Sequence, residues 1–314
     1  MTEERSHISL FNEARYQRCN LQPRQRLFRY DHCAGGRLVG TLSGVVEDHQ
    51  LVCGHSAPFG GIDWVRRREP VGAVVELIAA AARRARAEGI GAIVIRARPA
   101  YFGANEAALE FALHKLGAVV QSCELSLGIA AGRYRTPADY VAALKSPARN
   151  RLNHGLRAGL LCSAAEGTAE WAACYDILAD TKRRRGTWLK FSLDYLLGLR
   201  QIFGPCIAMH KLVRDGEIAA ASLVYRIAPG WDYLAAWGDR VEHRGNEVMN
   251  VMAYHLVCEA IAGQVGVIDL GISSVDGVAD DGLIQFKRSI GGMTGLRIDF
   301  RLSLDRADAG IGAA

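Results

Sequence analysis

The sequence predicts an α/β protein of two domains with mixed sheets, in which one order of elements occurs twice. The chain has 314 residues, half of them apolar, which is more than a single hydrophobic core ordinarily uses. Strand-like and helix-like periodicities alternate along it. In each half, antiparallel strands precede a long helix, a strand, a shorter helix and a last strand. We therefore expect domains at residues 1–132 and 133–314.

The first half is predicted to start with strands and to continue through an amphipathic helix. Val74, Leu77 and Ile78 recur at helical spacing, and Gly89 suits the residue after a helix end. The predicted strands lie at 37–46, 50–54, 91–97 and 118–129, and the predicted helices at 71–88 and 104–116.

The second half opens at Thr136-Pro137, where an N-cap residue precedes a proline suited to the first helical position. Hairpin turns are expected at Asp215-Gly216 and Pro229-Gly230. The predicted helices lie at 137–160 with a break at Ser146-Pro147, at 168–183, at 246–262 and around Lys287, and the predicted strands at 207–213, 217–227, 231–238, 265–272 and 295–304.

The net charge of +5 permits a polyanionic partner without demanding one. The excess is local, with basic runs at 66–68, 83–86 and 182–190. Such runs are usually solvated helix faces. Trp188 interrupts the third run, which is typical of a surface that contacts phosphates and bases.

The eight cysteines form no C-x-x-C pair, and the histidines show no ligand spacing. We therefore expect buried thiols in a reducing compartment, no metal site and no permanently bound cofactor. The N-terminal segment lacks an apolar signal region, and no stretch reaches the roughly 18 apolar residues of a membrane span, so a cytoplasmic protein is expected. Walker, H-E-x-x-H and dinucleotide motifs are absent from the sequence.

Four short segments carry a resemblance. They are HSAPFGGI from His55, SPARNRLNHGLRAGL from Ser146, DTKRRRG with Thr181, Arg184 and Gly186, and DLGI followed by GLIQFKRSIGG. With the order of elements, they resemble the FemAB-like aminoacyl/acyltransferases, relatives of the enzymes that build peptidoglycan cross-bridges from aminoacyl-tRNA. The last pair of segments is the most specific.

The resemblance implies two tandem GNAT-like domains and an amide-forming transfer. The second domain would hold most of the donor site, and the acceptor amine would enter between the domains. The sequence departs from the usual acetyl-CoA loop of this fold, because DRVEHRGNEVMN offers a pyrophosphate only Arg244 and Gly245. Aminoacyl-tRNA is therefore the expected donor.

Lys287 is the first candidate site residue, since a lysine on an apolar element either snorkels to water or faces a ligand. The resemblance implies that it contacts the donor phosphate or the oxyanion. Asp239 follows a strand and could act as a general base or accept a turn hydrogen bond. Tyr233 and Trp237 are expected on one face of that strand, beside the substrate.

Arg184 matches the resemblance, although helical phase from Tyr175 predicts that it faces solvent. The loop residues His55, Ser56, Gly60 and Gly61 either contact substrate or only form a turn.

Three functions remain open from the sequence. The first is aminoacyl transfer from tRNA to an amine on a cell-wall precursor or a small metabolite. The second is acyl-CoA-dependent N-acyl transfer to a small amine. The third is non-catalytic binding of tRNA or another polyanion, which needs the basic runs but neither Lys287 nor Tyr233.

Overall fold

The structure, a computed structural model, describes residues 8–244 and 247–304, and these residues form two compact units. Unit 1 contains residues 8–126, 272–279 and 295–304, and unit 2 contains the described parts of 127–271 and 280–294. These bounds differ from the predicted division at residue 132, because the chain returns to unit 1 twice after residue 271.

In the first 130 residues the order of elements is the predicted one, with additions at the beginning and one before the first long helix. The helices are α1 (Ala14–Cys19), α2 (Val71–Ala87) and α3 (Ala104–Lys115). The strands are β1 (Arg26–Ala34), β2 (Arg37–Glu47), β3 (Gln50–Cys53), β4 (Ile62–Trp64), β5 (Ala92–Arg96) and β6 (Val119–Ile129). Sequence periodicity did not predict α1, β1 or β4.

The rest of the chain repeats this order after an additional helical segment. The helices are α4 (Pro137–Ala143), α5 (Ser146–Arg157), α6 (Gly167–Arg184), α7 (Leu193–Phe203), α8 (Val248–Ala262) and α9 (Asp281–Ser289). The strands are β7 (Leu161–Ala164), β8 (Ile207–Arg214), β9 (Glu217–Ala228), β10 (Trp231–Asp239), β11 (Val267–Ile272), β12 (Ser274–Val275), β13 (Val278–Ala279) and β14 (Met293–Ser303). The sequence did not predict β7, α7, β12 or β13.

The predicted start of α4 is confirmed. The Thr136 hydroxyl accepts a hydrogen bond from the Asp139 N–H, and the Asp139 carboxylate accepts one from the Thr136 N–H, which together form a capping box. The break between α4 and α5 falls at Leu144, whose backbone is extended, one residue before Lys145-Ser146 begins the next helix.

The sheet of unit 1 has the strand order β1-β2-β3-β5-β14-β6, with β4 also paired to β2. Strands β1, β2 and β3 form an antiparallel meander, and β5 runs parallel to β3. The apolar stripe of α2 packs on this sheet, where Leu77 and Ile78 are fully buried with Ile93 of β5 and Phe300 of β14. Because α2 presents a wide apolar stripe to the sheet, it is the main helix of this core.

The sheet of unit 2 has the order β11-β10-β9-β8-β7. The predicted Asp215-Gly216 turn joins β8 to β9, and both residues have positive φ, at 51° and 83°. Ser222 of β9 contacts Met252 of α8, so α8 covers one face. Gly238, paired with the neighbouring Ala221, meets Thr181 of α6, so α6 covers the other face. Among the described residues, no helix has the length and apolar character needed to cross a membrane.

Candidate functional site

Strands β10 and β11 run side by side at their beginnings and separate towards their ends. Their parallel register joins Trp231 to Val267, Asp232 to Ile268 and Tyr233 to Asp269. Strand β10 continues to Asp239 without further pairing to β11 in the described residues. We call the opening between residues 234–239 of β10 and residues 270–271 of β11 the strand gap.

A β-bulge lies at the start of the strand gap. On β10, Leu234 pairs with Val224 of β9 and Ala236 pairs with Leu223, so Ala235 has no partner in the register. A bulged residue is left out of the ladder and re-aims the groups that follow it. Ala235 is also partly exposed. Ala235 is therefore the residue of β10 beside the strand gap that the ladder to β9 leaves out.

The bulge also corrects the predicted aromatic row. Tyr233 pairs with Tyr225, and Trp237 pairs with Ser222. Residues 225 and 222 are three apart on β9, so their side chains lie on opposite faces of the sheet. The prediction that Tyr233 and Trp237 share one face is wrong, because the extra residue at position 235 reverses the alternation.

Lys287 is buried and reaches the end of β11. Its side chain is among the most deeply buried, at 1% exposure, and its Nζ donates to the Gly271 carbonyl at 2.8 Å. Snorkelling to solvent is therefore excluded. Gly271 has a φ of +75°, and its N–H donates to the Asp269 carboxylate at 2.6 Å. The ring of Tyr233 lies 3.9 Å from the position that a Gly271 side chain would take.

These contacts explain why the motifs DLG and FKRSIGG occur together, because both act on Gly271. The carboxylate of the first motif shapes the turn at Gly271, and the lysine of the second holds the same residue through its carbonyl. The ring of Phe286 completes the arrangement by packing 5.5 Å from the ring of Trp237. The two motifs meet at one edge of the strand gap.

The turn that follows α9 contains Gly291 and Gly292, and we call it the glycine corner. Close packing requires glycine at position 292. The Gly292 N–H donates to the Lys287 carbonyl at 2.9 Å, and a β-carbon at Gly292 would lie 2.6 Å from that oxygen. The hydroxyl of Tyr140, in α4, donates to the Ile290 carbonyl at 2.9 Å. Burial raises the pKa of Tyr140, so this donor keeps its proton at neutral pH. The corner therefore fixes the helix that carries Lys287.

The far end of β10 is held by α6. The carbonyl of Asp239 accepts hydrogen bonds from the Arg184 guanidinium and, at 3.4 Å, from the Thr181 hydroxyl. The Asp239 carboxylate lies 3.5 Å from the same guanidinium. Arg184 also binds Asp180 at 2.8 Å, and a β-carbon at Gly238 would lie only 2.6 Å from Thr181 Cβ. The Thr-x-x-Arg segment thus anchors one side of the strand gap.

The expectation that Arg184 faces solvent is wrong. Its side chain is 18% exposed. The prediction took Tyr175 as the reference for the buried face of α6, but Tyr175 is only half-buried. Ile177 is buried, and it lies seven residues before Arg184 on the same face of the helix. The arginine therefore continues the buried stripe at the end of α6.

The possible phosphate site before α8 is defined only in part. Arg244 is exposed and follows a short 3₁₀ turn, Val241–His243. Gly245 lies outside the described residues. At the start of α8, the Glu247 carboxylate lies 3.2 Å from His154 Nδ1. A carboxylate at this helix end disfavours an anion there, since both would seek the same positive end of the helix.

The remaining candidates lie in unit 1, after β3. His55 is largely buried, and its Nδ1 lies 3.7 Å from the Glu47 carboxylate. Ser56 has a φ of +52°, and its carbonyl accepts a hydrogen bond from the Tyr16 hydroxyl. These contacts position the loop within unit 1, and a role in substrate binding stays a prediction.

Gly60 and Gly61 form the turn that leads to β4. A β-carbon at Gly60 would lie 2.6 Å from the Cys53 carbonyl carbon, so the loop needs glycine there for its own packing. Gly61 has a φ of +72° and lies against the Arg98 guanidinium. Contact of these two residues with a ligand also stays a prediction.

Arg98 is the centre of a buried charge cluster that the sequence did not predict. Its guanidinium contacts Asp63 at 2.9 Å and Glu106 at 3.1 Å, and all three side chains are 1% exposed. Burial raises the pKa of Glu106 to about 7, although Arg98 opposes this rise. Two carboxylates share one guanidinium here, so the cluster carries an excess negative charge when both are ionised.

Unit 2 also contains a group of metal-ligating side chains. Ligand atoms of His210, His255 and Glu259 lie within 4.8 Å of one another. The expectation that imidazole ligands are scattered is wrong for this group. His255 and Glu259 stand four residues apart on α8, and that spacing was the sequence signal. His210 comes from β8, and no spacing in the sequence connects it to the helix.

The fold of this chain is similar to that of several solved structures. No family model and no curated protein matches the chain. Among solved structures, FemX has a TM-score of 0.71 at 12% identity, covering 94% of this chain and 92% of that one. L-PGS from Bacillus licheniformis gives 0.54 at 12% identity, covering 90% and 85%. A tandem GNAT protein from the clavulanic acid biosynthesis pathway gives 0.50 at 16% identity, covering 92% and 86%.

These similarities span nearly the whole chain and both repeats of the element order. At such low identity they show the fold and not the activity. The chain has the mixed α/β fold of the tandem GNAT proteins and of FemX, and this fold prediction is confirmed.

Proposed function

We propose that this chain is an acyltransferase that forms an amide, with aminoacyl-tRNA as its donor. The observation that carries the proposal is the strand gap, where β10 and β11 separate beside a bulge and a buried lysine. In the proposed reaction an amine attacks the carbonyl carbon of the aminoacyl ester. The C–N bond forms, the ester C–O bond breaks, and the tRNA ribose oxygen leaves with a proton from the amine.

The strand gap provides what the transition state of this reaction needs. The tetrahedral intermediate carries negative charge on the former carbonyl oxygen, and fixed donors stabilise it most effectively where water is excluded. The backbone at Ala235 lies outside the ladder to β9, and we assign its N–H as a hydrogen-bond donor to the oxyanion. Lys287 adds a positive charge at the other edge through its contact with Gly271. We assign the donor carbonyl to the space between these two positions.

Asp239 lies at the open end of β10 and is our candidate acceptor for the proton of the attacking amine. Its carbonyl is fully engaged by α6, while its carboxylate is 15% exposed and meets Arg184 at 3.5 Å. This longer contact leaves lone pairs on the carboxylate for a further donor. An amine bound at the end of β10 would supply that donor.

A basic surface after α6 supports a polyanionic donor. Arg183, Arg185 and Lys190 are exposed, and the Trp188 ring between them is 73% exposed. Burial lowers the pKa of Lys182, and the positive charges of Arg185 and Lys190 lower it further. Asp180 pairs with Arg183 at 2.6 Å, but no described carboxylate pairs with Arg185 or Lys190. Phosphates would relieve the repulsion, and the exposed indole offers a stacking face to a base.

The resemblance to FemAB-like enzymes supports an aminoacyl ester as the reacting group. The acceptor would be an amine on a cell-wall precursor or a small metabolite. Acyl-CoA is the competing donor, and it would need a phosphate site at the start of α8. The exposed Arg244 is the described cation nearest in sequence to that helix, and Glu247 opposes an anion there.

The test offers the purified chain charged tRNA and acyl-CoA in separate reactions with a panel of primary amines. Loss of the donor and formation of the amide are followed by mass spectrometry. We expect amide from charged tRNA, none after prior ribonuclease digestion, and none from acyl-CoA. Amide formation from acyl-CoA in RNA-free reactions would replace tRNA by CoA as the donor. Binding of tRNA without any amide would favour the non-catalytic alternative.

A further inference from the structure

Three metal-ligating side chains meet where α8 crosses β8 in unit 2. The Nε2 atom of His210 lies 2.8 Å from one carboxylate oxygen of Glu259, and the Nε2 atom of His255 lies 3.5 Å from the other. The two imidazole rings are 5.3 Å apart in an edge-to-face arrangement. Both histidines therefore direct the same ring nitrogen towards one carboxylate.

Local structure fixes the positions of these side chains. His255 and Glu259 are one helical turn apart on α8, so they project from the same face. His210 is buried on β8, and its Nδ1 lies 3.5 Å from the Ser222 hydroxyl on β9. A partner at Nδ1 orients the ring and directs Nε2 towards α8, as partners of metal-bound histidines do.

A second carboxylate, that of Asp232, lines a cavity beside this group. The small cavity is lined by His210, Glu259, Asp232 and Arg226, together with apolar residues of the sheet and α8. Asp232 is 8% exposed and directly follows Trp231 at the beginning of β10. It lies on the α8 face, because it pairs with Arg226 on β9, four residues from Ser222. The Asp232 carboxylate and the Arg226 guanidinium therefore share this cavity with His210 and Glu259.

We propose that His210, His255 and Glu259 bind one Zn²⁺ ion, with Asp232 or a water molecule as the fourth ligand. Tetrahedral zinc with bonds of about 2.0–2.2 Å keeps its ligand atoms about 3.3–3.6 Å apart. The separation of 3.5 Å between His255 and Glu259 lies in that range, the separation of 2.8 Å between His210 and Glu259 is shorter, and all three ligand atoms lie within 4.8 Å of one another. Binding of the ion therefore requires side-chain rotations that open the contact between His210 and Glu259 and bring the three ligand atoms to equal separations.

The chemistry of the ligands selects the metal. Imidazole nitrogens favour zinc and its neighbours in the transition series, whereas Mg²⁺ and Ca²⁺ prefer all-oxygen sites. Glu259 has a side-chain exposure of 36% and His255 one of 19%, so an ion can enter from solvent. His255 Nε2 has no hydrogen bond within the described part of the chain, and this leaves its nitrogen available to the ion.

The zinc would join α8 to β8 and would be separate from the acyl-transfer chemistry. Asp232 and Tyr233 are successive residues of β10, so their side chains point to opposite faces of the sheet. The cluster lies on the α8 face, where β10 is still paired with β11. Zinc binding should therefore stabilise unit 2 without direct contact with the donor carbonyl in the strand gap.

The test uses the full chain, freed of metal with a chelator and then titrated with Co²⁺ and with Zn²⁺. We expect one ion per chain, the visible absorption of tetrahedral Co²⁺, displacement of Co²⁺ by Zn²⁺, and a higher unfolding temperature with Zn²⁺. Mg²⁺ at the same concentrations should have none of these effects. No activity measurement is required.

Two variants and one matched control make the test specific. His255→Ala and Glu259→Gln should each weaken binding by more than the 10–100-fold that loss of a supporting contact costs. Both positions are partly exposed, so the variants should fold. His154→Ala removes another His–Glu contact of unit 2, with 3.2 Å between Nδ1 and the Glu247 carboxylate, and should leave the titration unchanged. Binding of less than one ion per chain would contradict the proposal, and so would a His255→Ala chain that binds zinc as tightly as the wild type. The cluster would then be only a set of hydrogen-bonded polar side chains.

Discussion

Replacing Lys287 by methionine tests the contact at the edge of the strand gap. Methionine has a similar length and a similar helix propensity, so the change removes the charge and the donor while leaving little empty volume. The Gly271 carbonyl then loses the hydrogen bond that Lys287 donates at 2.8 Å in a site with 1% exposure. Arg288→Met is the matched control, because Arg288 is the next residue on α9 and is exposed.

The size of the effect follows from this geometry. A hydrogen bond from a charged donor contributes about 1.5–3 kcal/mol when it is buried, and the carbonyl left behind keeps its desolvation penalty. We expect Lys287→Met to lower the free energy of unfolding by about 2 kcal/mol. With a urea dependence of about 2 kcal/mol per molar, the midpoint should fall by about 1 M. Arg288→Met should change the free energy by less than about 0.5 kcal/mol.

The assay monitors urea unfolding by tryptophan fluorescence, and turnover is measured separately in the absence of urea. Trp171, Trp188, Trp231 and Trp237 all lie in unit 2 and report its transition. Turnover of the folded Lys287→Met chain should fall by about 10²-fold or more, as it does when a donor to the oxyanion is lost. Equal or greater stability would show that the lysine does not support Gly271, and wild-type turnover would remove it from the proposed chemistry.

Three further predictions concern other parts of the chain. Gly238→Ala places a β-carbon 2.8 Å from Thr181 Cγ2 and still closer to Thr181 Oγ1, so urea unfolding should show a loss of about 1–3 kcal/mol. Thr181→Ala removes both of these atoms and should partly restore the loss; no loss would refute close contact of α6 with β10. Burial raises the pKa of Glu106 to about 7, above its unfolded value, so its stabilising contribution is complete below about pH 4.5 and is lost as the pH rises through about 7. Glu106→Gln should reduce the fall in unfolding free energy over this interval by up to about 3 kcal/mol, and an unchanged pH profile would contradict the shift. Trp188→Ala should weaken tRNA binding by about 1–3 kcal/mol in a filter-binding titration, whereas unchanged affinity would leave the basic run as a solvated face.

The order of elements was predictable because it depends on local signals. The Thr136 capping box and the Asp215-Gly216 turn are encoded by neighbouring residues, and the structure contains both. Short edge strands such as β4 and β7 were missed, since three or four residues carry too little periodicity to predict a strand.

The site was less predictable because it depends on register and on contacts between distant residues. The bulge at Ala235 reverses the faces of Tyr233 and Trp237, and no residue type in this stretch marks the bulge. The burial of Arg184 depends on which residue of α6 defines the buried face. Lys287 was singled out correctly as unusual, but only the structure shows that its ammonium binds the Gly271 carbonyl.

The measurement that tests the central proposal most directly is the single-turnover rate of acyl transfer after removal of one backbone N–H in the strand gap. Ala235→Pro removes this donor at a bulge, where proline is tolerated, and Ala235→Gly keeps it. With both variants unfolding at the wild-type urea midpoint, we predict that Ala235→Pro loses about 10²-fold or more and that Ala235→Gly stays within about tenfold of wild type. A proline variant that transfers at the wild-type rate would contradict transfer in the strand gap, and so would a wild-type chain that forms no amide from either donor.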